Sequence, residues 1–600
     1  MENNNGIEMV QNRTSSNNND GTVFTVTNHD TDHDSLNKNQ NKFHLKIREF
    51  HDEHKKLINI LIFILFNILA VIYFIFASIY EFNNSDECDT EACRAKWCRG
   101  YGTLLIIYVI FYATCFYYFL FKPYVAGFLI KLWKKVMEKH GKWIKIIFIG
   151  TFILTKVGII AYLLISEISK DYTRLQSLLG ILFVIVCGII FSHNRSNVAW
   201  KTVARGLFLQ ALFGMMVLKQ EIVRDIFDCM ANRLLSFRLL SLTGATFVFG
   251  EFLINEQVFA FYVLSSVFFI SFIVAILYHL GWIQNFISKI GQIAKYLTIT
   301  TYIESTFAFT RLFLGTVGSF IIVQPFLGNL TQSELHAVLT SAFASAAGST
   351  ISIYTALGAQ PIHLITANVM SASAALGLSK LIFPETKQTK LKGRDIKQYQ
   401  QKSDSVLDAG TNGASEATKI YLHIIANIIA FIAFISFLNG ILQFFTSLVG
   451  FENVTLEYLF ELIFTPICWL IGIPWRDCRP VGKVIGIKLV DNEFVAYQEL
   501  MKLLQAEVIS PRAAAIATFV LSSFSNPTAI AIVVGTFIAI VPEKRQMMIK
   551  LLISAFITAI ATSLMTASVA GFLMKSDLYE FKGNFTLMNF NQTKFNFHYL

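Results

Sequence analysis

What most constrains this chain is a series of apolar segments near 20 residues long, separated by short polar connectors. A helix needs about 20 mostly apolar residues to cross the hydrocarbon core of a bilayer. Segments of that kind run over residues 57–80, 101–121, 144–166 and 175–191, and the series continues to 551–574. A backbone in lipid must satisfy its own hydrogen bonds, so the spacing predicts an all-α polytopic membrane protein. Composition agrees: 54% of the 600 residues are hydrophobic and 15% charged, with a mean hydropathy of +0.53. That balance does not suit a soluble enzyme. The formal charge of +10 sits in the connectors, where lysines face anionic lipid, so it does not read as a nucleic-acid surface.

The connectors also set an orientation. Residues 1–56 are polar, rich in Asn and Asp and without an apolar core, so they read as a disordered cytosolic tail with no cleavable signal peptide. Lys46, Arg48, Lys55 and Lys56 precede the first segment, whereas Glu81, Asp86, Glu87, Asp89 and Glu91 follow it. Positive charge collects inside, and this alternation continues through Lys131–Lys145, Arg195–Arg205 and a basic linker at 384–418. Sequons at Asn83, Asn453, Asn584 and Asn591 then fall outside, with the C-terminal tail at 575–600. Of the eight cysteines, Cys115, Cys187, Cys229 and Cys468 read as packing residues. Cys88, Cys93 and Cys98 crowd the first outer loop, where one disulfide fits the compartment and its pairing stays open.

Ionisable and helix-breaking residues inside apolar segments are costly and point to function. Three regions carry them. In residues 304–319, Arg311, Gly315 and Gly318 cut an apolar segment short of a span, which suits a re-entrant hairpin; a kinked span with a snorkelling Arg311 is the other reading. In residues 486–497, Glu493 follows a short apolar arm at 456–473, suggesting a second hairpin. Its carboxylate can accept bonds from sugar hydroxyls or carry a proton, or serve as a structural partner of Lys488. In Phe524-Ser525-Asn526-Pro527, proline breaks a helix and frees carbonyls, and Asn526 offers both a donor and an acceptor; a purely structural kink is the alternative. Two interrupted segments and a broken helix are the pattern of a midplane site between inverted repeats.

These residues resemble the concentrative nucleoside transporters. Residues 486–497 fit the family signature Gly-x-Lys-x-x-x-Asn-Glu-Phe-Val-Ala-aromatic at every fixed position, and Gly206–Gln210, Phe247–Glu251, Ser333–Ala337 and Phe383–Thr386 are family-like too. The similarity covers about 175–574. It implies about 11 transmembrane helices plus two re-entrant hairpins in an inverted-repeat transporter core: three extra helices at 57–170, scaffold helices at 171–302, the first hairpin and following helices at 303–383, and the second hairpin with the broken helix at 419–574. It also implies a plasma-membrane homotrimer coupled to sodium or protons, with no other cofactor. Carried over by position, Glu493 binds ribose hydroxyls, Asn526 the sugar, and Phe524 and Thr350 lie beside the base.

The departures from the family fall in the first hairpin. Where relatives read Gly-Gln-Thr-Glu, this chain reads Gly315-Thr316-Val317-Gly318, so the base-contacting glutamine and glutamate are absent. The family's sodium-ligating asparagine is Arg311 and its supporting threonine Val317; with Leu314, the sodium site is degraded, and only Ser345 keeps a hydroxyl there. Downstream, a family serine is Ala529 and an acidic residue is Ala514. A guanidinium offers donors only, so altered or lost sodium coupling is expected. The leading expectation is a nucleoside carrier. A non-transporting, receptor-like relative is the alternative, and no nucleophile-and-base set suggests an enzyme.

Overall fold

The computed structural model describes residues 63–82, 101–117, 174–256, 258–262, 264–387, 403–451 and 454–574, with 61 and 158 besides. The N-terminal tail, the third apolar segment, Cys88, Cys93 and Cys98, the four outer sequons and the C-terminal tail lie outside these residues. Regular structure among the described residues is helical throughout. The chain divides into two units, 1–118 and 119–600.

In the first unit, α1 (Phe63–Phe82) and α2 (Tyr101–Phe116) are joined by polar contacts within an apolar pair. Tyr108 Oη donates to the Ala70 carbonyl at 2.5 Å, and the Ser78 and Tyr101 hydroxyls share a bond of 2.9 Å.

The second unit opens with α3 (Arg174–Ile190), α4 (Trp200–Lys219), α5 (Glu221–Phe249), α6 (Ser266–His279) and α7 (Trp282–Thr298). It continues with α8 (Tyr302–Leu327), α9 (Gln332–Ala344), α10 (Gly348–Ala356), α11 (Pro361–Ile382) and α12 (Val406–Ser447). It closes with α13 (Leu456–Leu470), α14 (Trp475–Val490), α15 (Glu493–Gln505), α16 (Pro511–Leu521), α17 (Pro527–Ile540) and α18 (Arg545–Leu573). Among the described residues, five helical stretches are long and apolar enough to cross a membrane: Phe63–Phe82, Trp200–Lys219, Phe259–His279, Pro361–Ile382 and Pro542–Leu573. On α18, Ile549, Ile553 and Ile557 make an exposed stripe at four-residue spacing while Leu551, Leu552, Ala555 and Ala559 are buried behind it. A helix that exposes isoleucines on its outer face is built for lipid.

The scaffold grips the core through small residues. A Cβ at Gly206 on α4 would stand 2.8 Å from the Ser373 carbonyl oxygen on α11, a backbone approach that only small residues permit. Alongside it, Gln210 donates to Thr566 on α18 at 2.8 Å.

The core then runs through one order of elements twice: an outer helix, a hairpin, a broken helix and a long helix. The first pass is α7, α8, α9 with α10, and α11; the second is α13, α14 with α15, α16 with α17, and α18. Helix α8 is hairpin 1, because it breaks at Gly315, whose φ of 70° and ψ of −168° only glycine adopts without strain. Across that break the Phe307 and Phe320 rings meet at 4.9 Å, whereas 13 residues of straight helix would separate them by about 20 Å. A capping box of Thr301 and Glu304 starts this hairpin, and a second, of Thr331 and Glu334, starts α9 beyond it.

Hairpin 2 corrects the expected arms. Its arms are α14 and α15, turning at Asp491 and Asn492, and the 456–473 arm is instead a separate helix, α13, packed antiparallel on α14. Gly486 lies against Phe460, and Gly482 against the Glu461 carbonyl and Thr465. The hairpin closes at its base, where Asp477 accepts bonds from the Ser510 hydroxyl at 2.6 Å and its N–H at 3.1 Å. Two smaller differences follow. Helix α12 begins at Val406, inside the stretch expected as linker, where Ser405 caps it through the Asp408 N–H. Cys229, expected as a packing thiol, is disulfide-bonded.

Candidate functional site

The two broken helices and the two hairpin tips bring the polar residues of the core together. Proline at the first position of α17 cannot donate, and the residue before it takes an extended backbone, so Asn526 becomes the cap. Its Oδ1 accepts from the Ala529 N–H at 2.7 Å. Its Nδ2 donates to Glu493 Oε2. Glu493 is the first residue of α15, whose N–H groups at Phe494 and Val495 are both capped by Asn492 Oδ1 at 3.0 Å. A carboxylate in the first turn of a helix is favoured there by the dipole. Its second oxygen accepts from the Tyr354 hydroxyl of α10 at 3.1 Å. Glu493 is fully buried, and the fields of Lys488 and Arg311 both reach it.

Each break leaves carbonyls without helical partners, and a cation from the neighbouring hairpin answers one of them. Lys488, just ahead of the tip of hairpin 2, donates to the Val520 carbonyl at 2.6 Å and to Ser523 Oγ at 2.5 Å, near the end of α16. Arg311, just ahead of the tip of hairpin 1, donates through Nε to the Ala342 carbonyl at 3.1 Å, near the end of α9. Both cations sit at the negative end of a half-helix. The Arg311 guanidinium also lies 5.4 Å from the centroid of the Phe524 ring, and its Nη1 is buried with no hydrogen-bond partner. The break after α9 is fixed from outside by Asn368, whose Oδ1 accepts from the Ala346 N–H at 2.6 Å.

Among the residues singled out from the sequence, direct contacts join Glu493 with Asn526 and Arg311 with Phe524, and Phe524 and Asn526 are two residues apart in the chain. Thr316 is buried just after the tip glycine, Gly318 follows where an added Cβ would stand 2.8 Å from that of Leu314, and Thr350 is half-buried on α10. Val317 lies outside the described side chains. Ser345 is buried in the break, its hydroxyl 3.5 Å from the Ser341 carbonyl. The snorkelling alternative for Arg311 is overturned, since its side chain is 1% exposed and turned into the core. Sequence reasoning missed Tyr354, Asn492 and Asn368. A tyrosine inside Ile351–Ala356 carries no signal of its own, whereas Asn492 could have been found as a cap before the first turn of α15.

Comparison with known proteins places the chain in a family. Residues 179–252 match the model for the N-terminus of a Na+ dependent nucleoside transporter, and 363–571 match that for its C-terminus. The sodium/nucleoside cotransporter 2 of Rattus norvegicus is 31% identical over 498 residues, covering 80% of this chain and 74% of that one. The sodium/nucleoside cotransporter 1 of Oryctolagus cuniculus is 33% identical over 445 residues, covering 72% and 67%. The solved structure of CNTnw in an inward-facing substrate-bound state is 32% identical, with a TM-score of 0.63 over 67% of this chain and 98% of that one. Signature and fold agree with these likenesses: the chain belongs to the concentrative, Na+ dependent nucleoside transporter family.

Proposed function

We propose that the chain carries nucleosides across the plasma membrane, and that a tethered cation, Arg311, has replaced sodium at the first hairpin. The observation that carries the carrier reading is Glu493, a fully buried carboxylate whose two oxygens are held by Tyr354 and Asn526 where hairpin 2 meets both broken helices. Its bonds are ones that two vicinal hydroxyls can take over, which suits a ribose. Asn526 then serves the sugar, Phe524 and Thr350 flank the base, and the hairpin tip of Thr316, Val317 and Gly318 closes over it.

The replacement of sodium follows from ligand chemistry. Sodium needs several oxygen ligands, yet Leu314 and Val317 supply none from their side chains, and the Ala342 carbonyl is taken by Arg311. A fixed guanidinium beside that place repels a second cation. The Lys488 contact in the other repeat supports this reading, since there too a side-chain cation occupies the end of a half-helix. The reading extends to a homotrimer with a cytosolic N-terminus and a glycosylated extracellular C-terminus, moving solute either without an ion or with a proton.

The test is uptake of radiolabelled uridine and adenosine into proteoliposomes, with and without sodium and pH gradients. Saturable uptake indifferent to sodium is expected, with Glu493→Gln slower by about a hundredfold through two weakened charge-assisted bonds. Absence of flux from folded protein overturns the carrier. Combining Arg311→Asn, Val317→Thr and Gly318→Glu should bring back sodium stimulation; a folded triple variant that stays indifferent to sodium removes the tethered-cation account.

A further inference from the structure

Arg311 has more capacity than its structural bond uses. Nε is committed to the Ala342 carbonyl, but Nη1 is buried without a partner, and an unpaired buried charged donor costs enough that it calls for an acceptor. The guanidinium is held against Phe524, and Phe524 lies two residues ahead of Asn526, the partner of Glu493. A solute gripped by Glu493 at one end therefore brings its other end to Phe524 and Arg311. At that end the hairpin tip presents Gly315, Thr316 and Gly318, with neither a carboxylate nor an amide side chain among Gly315–Ser319. The tip thus offers hydroxyls as its side-chain acceptors, and the cationic Arg311 donor stands beside Gly315.

We infer that Arg311 is the specificity-determining residue of this site and that it reads a carbonyl on the base, so the chain selects nucleosides with keto bases over those with amino bases. This rests on the nucleoside reading above. Hypoxanthine and guanine present an O6 and N7 acceptor pair that fits the planar fork of a guanidinium, and uracil presents O4. Adenine and cytosine place an exocyclic amino group at the matching position, so a donor faces a donor. The loss is that of one charge-assisted hydrogen bond, roughly tenfold to a hundredfold in discrimination. The ring face is unaffected, since every base can lie beside Phe524.

The experiment compares inosine with adenosine and uridine with cytidine, pairs that differ chiefly by oxygen for amino. Initial rates in proteoliposomes are read beside nucleoside-induced thermal shifts of the purified chain, for wild type, Arg311→Gln, Arg311→Lys and Glu493→Gln. Expected are keto-over-amino ratios of about ten or more in both pairs, collapse toward unity in Arg311→Gln, an intermediate ratio in Arg311→Lys, and a uniform loss in Glu493→Gln. The shift assay keeps the test valid where a variant binds but no longer carries. Ratios near unity in wild type, or ratios unchanged in Arg311→Gln, overturn the inference and leave the carrier standing. If none of the four nucleosides binds or moves, both fall.

Discussion

In the second repeat, Lys488 reaches the Val520 carbonyl near the end of α16; in the first, Arg311 reaches the Ala342 carbonyl near the end of α9. The two contacts occupy matching places, each on the first arm of a hairpin just before its tip. Beyond that the repeats diverge. Lys488 has two acceptors, the Val520 carbonyl and Ser523, and its own hairpin supplies the counter-charge Glu493 immediately after the turn. Arg311 has one bond and an idle Nη1, and after its turn the chain offers Thr316, Val317 and Gly318. The second half carries its counter-charge on its own hairpin, whereas the cation of the first must reach across to the same Glu493. Two halves with one architecture thus differ in charge, and the proposals above assign gripping to the second and discrimination to the first.

The largest effect that could break this comparison is in stability. Lys488→Met strands two acceptors and leaves buried Glu493 short of a counter-charge, so it should cost about 3–5 kcal/mol. Arg311→Met strands one carbonyl and relieves an unpaired donor, so about 1 kcal/mol is expected. Thermal unfolding in detergent separates the two, and equal losses would show that the cations are equivalent after all. A second effect concerns the hairpin bases. Glu304 is fully buried against Lys380 at 2.5 Å, which also bonds Ser333 at 2.9 Å, so hairpin 1 is tied shut by an ion pair. Hairpin 2 is tied by the Asp477–Ser510 bonds. Glu304→Gln should therefore lower stability by about 3 kcal/mol and Asp477→Asn by about 1–2 kcal/mol, measured by the same melts; the reverse order would mean the second base is the tighter. The smallest effect sharpens the geometry of the tip. Gly315→Ala must bear a positive φ and a Cβ 3.0 Å from that of Ala347, about 1–2 kcal/mol, whereas Gly348→Ala sits in ordinary helix and should be neutral or slightly stabilising.

Much of this was legible from residues alone, for definable reasons. Gly315 and the Asn526-Pro527 break are backbone punctuation, and Glu493 is a charge in an apolar setting, so each announces itself without tertiary context. The first arm of hairpin 2 did not. Trp475–Val490 carries Arg476, Asp477, Arg479, Lys483 and Lys488 and reads as a polar connector, so the apolar α13 took its place. In the fold three of those charges have destinations: Arg479 bonds Glu461 on α13, Asp477 bonds Ser510, and Lys488 bonds the end of α16. Hydropathy sees the charge and not the partner. Tyr354 was hidden for the opposite reason, because an aromatic side chain in an apolar helix looks the same whether its hydroxyl is idle or bonded to a carboxylate.

Asn526 leaves one further consequence. Its amide is shared between two tasks, Oδ1 starting helix α17 at the Ala529 N–H and Nδ2 holding Glu493. Anything that takes over Glu493 also changes what holds the side chain that begins that helix. On the proposed carrier reading, loading of the carboxylate is registered as slack or tension in the opening turn of a neighbouring helix, so a local chemical event acquires a mechanical address.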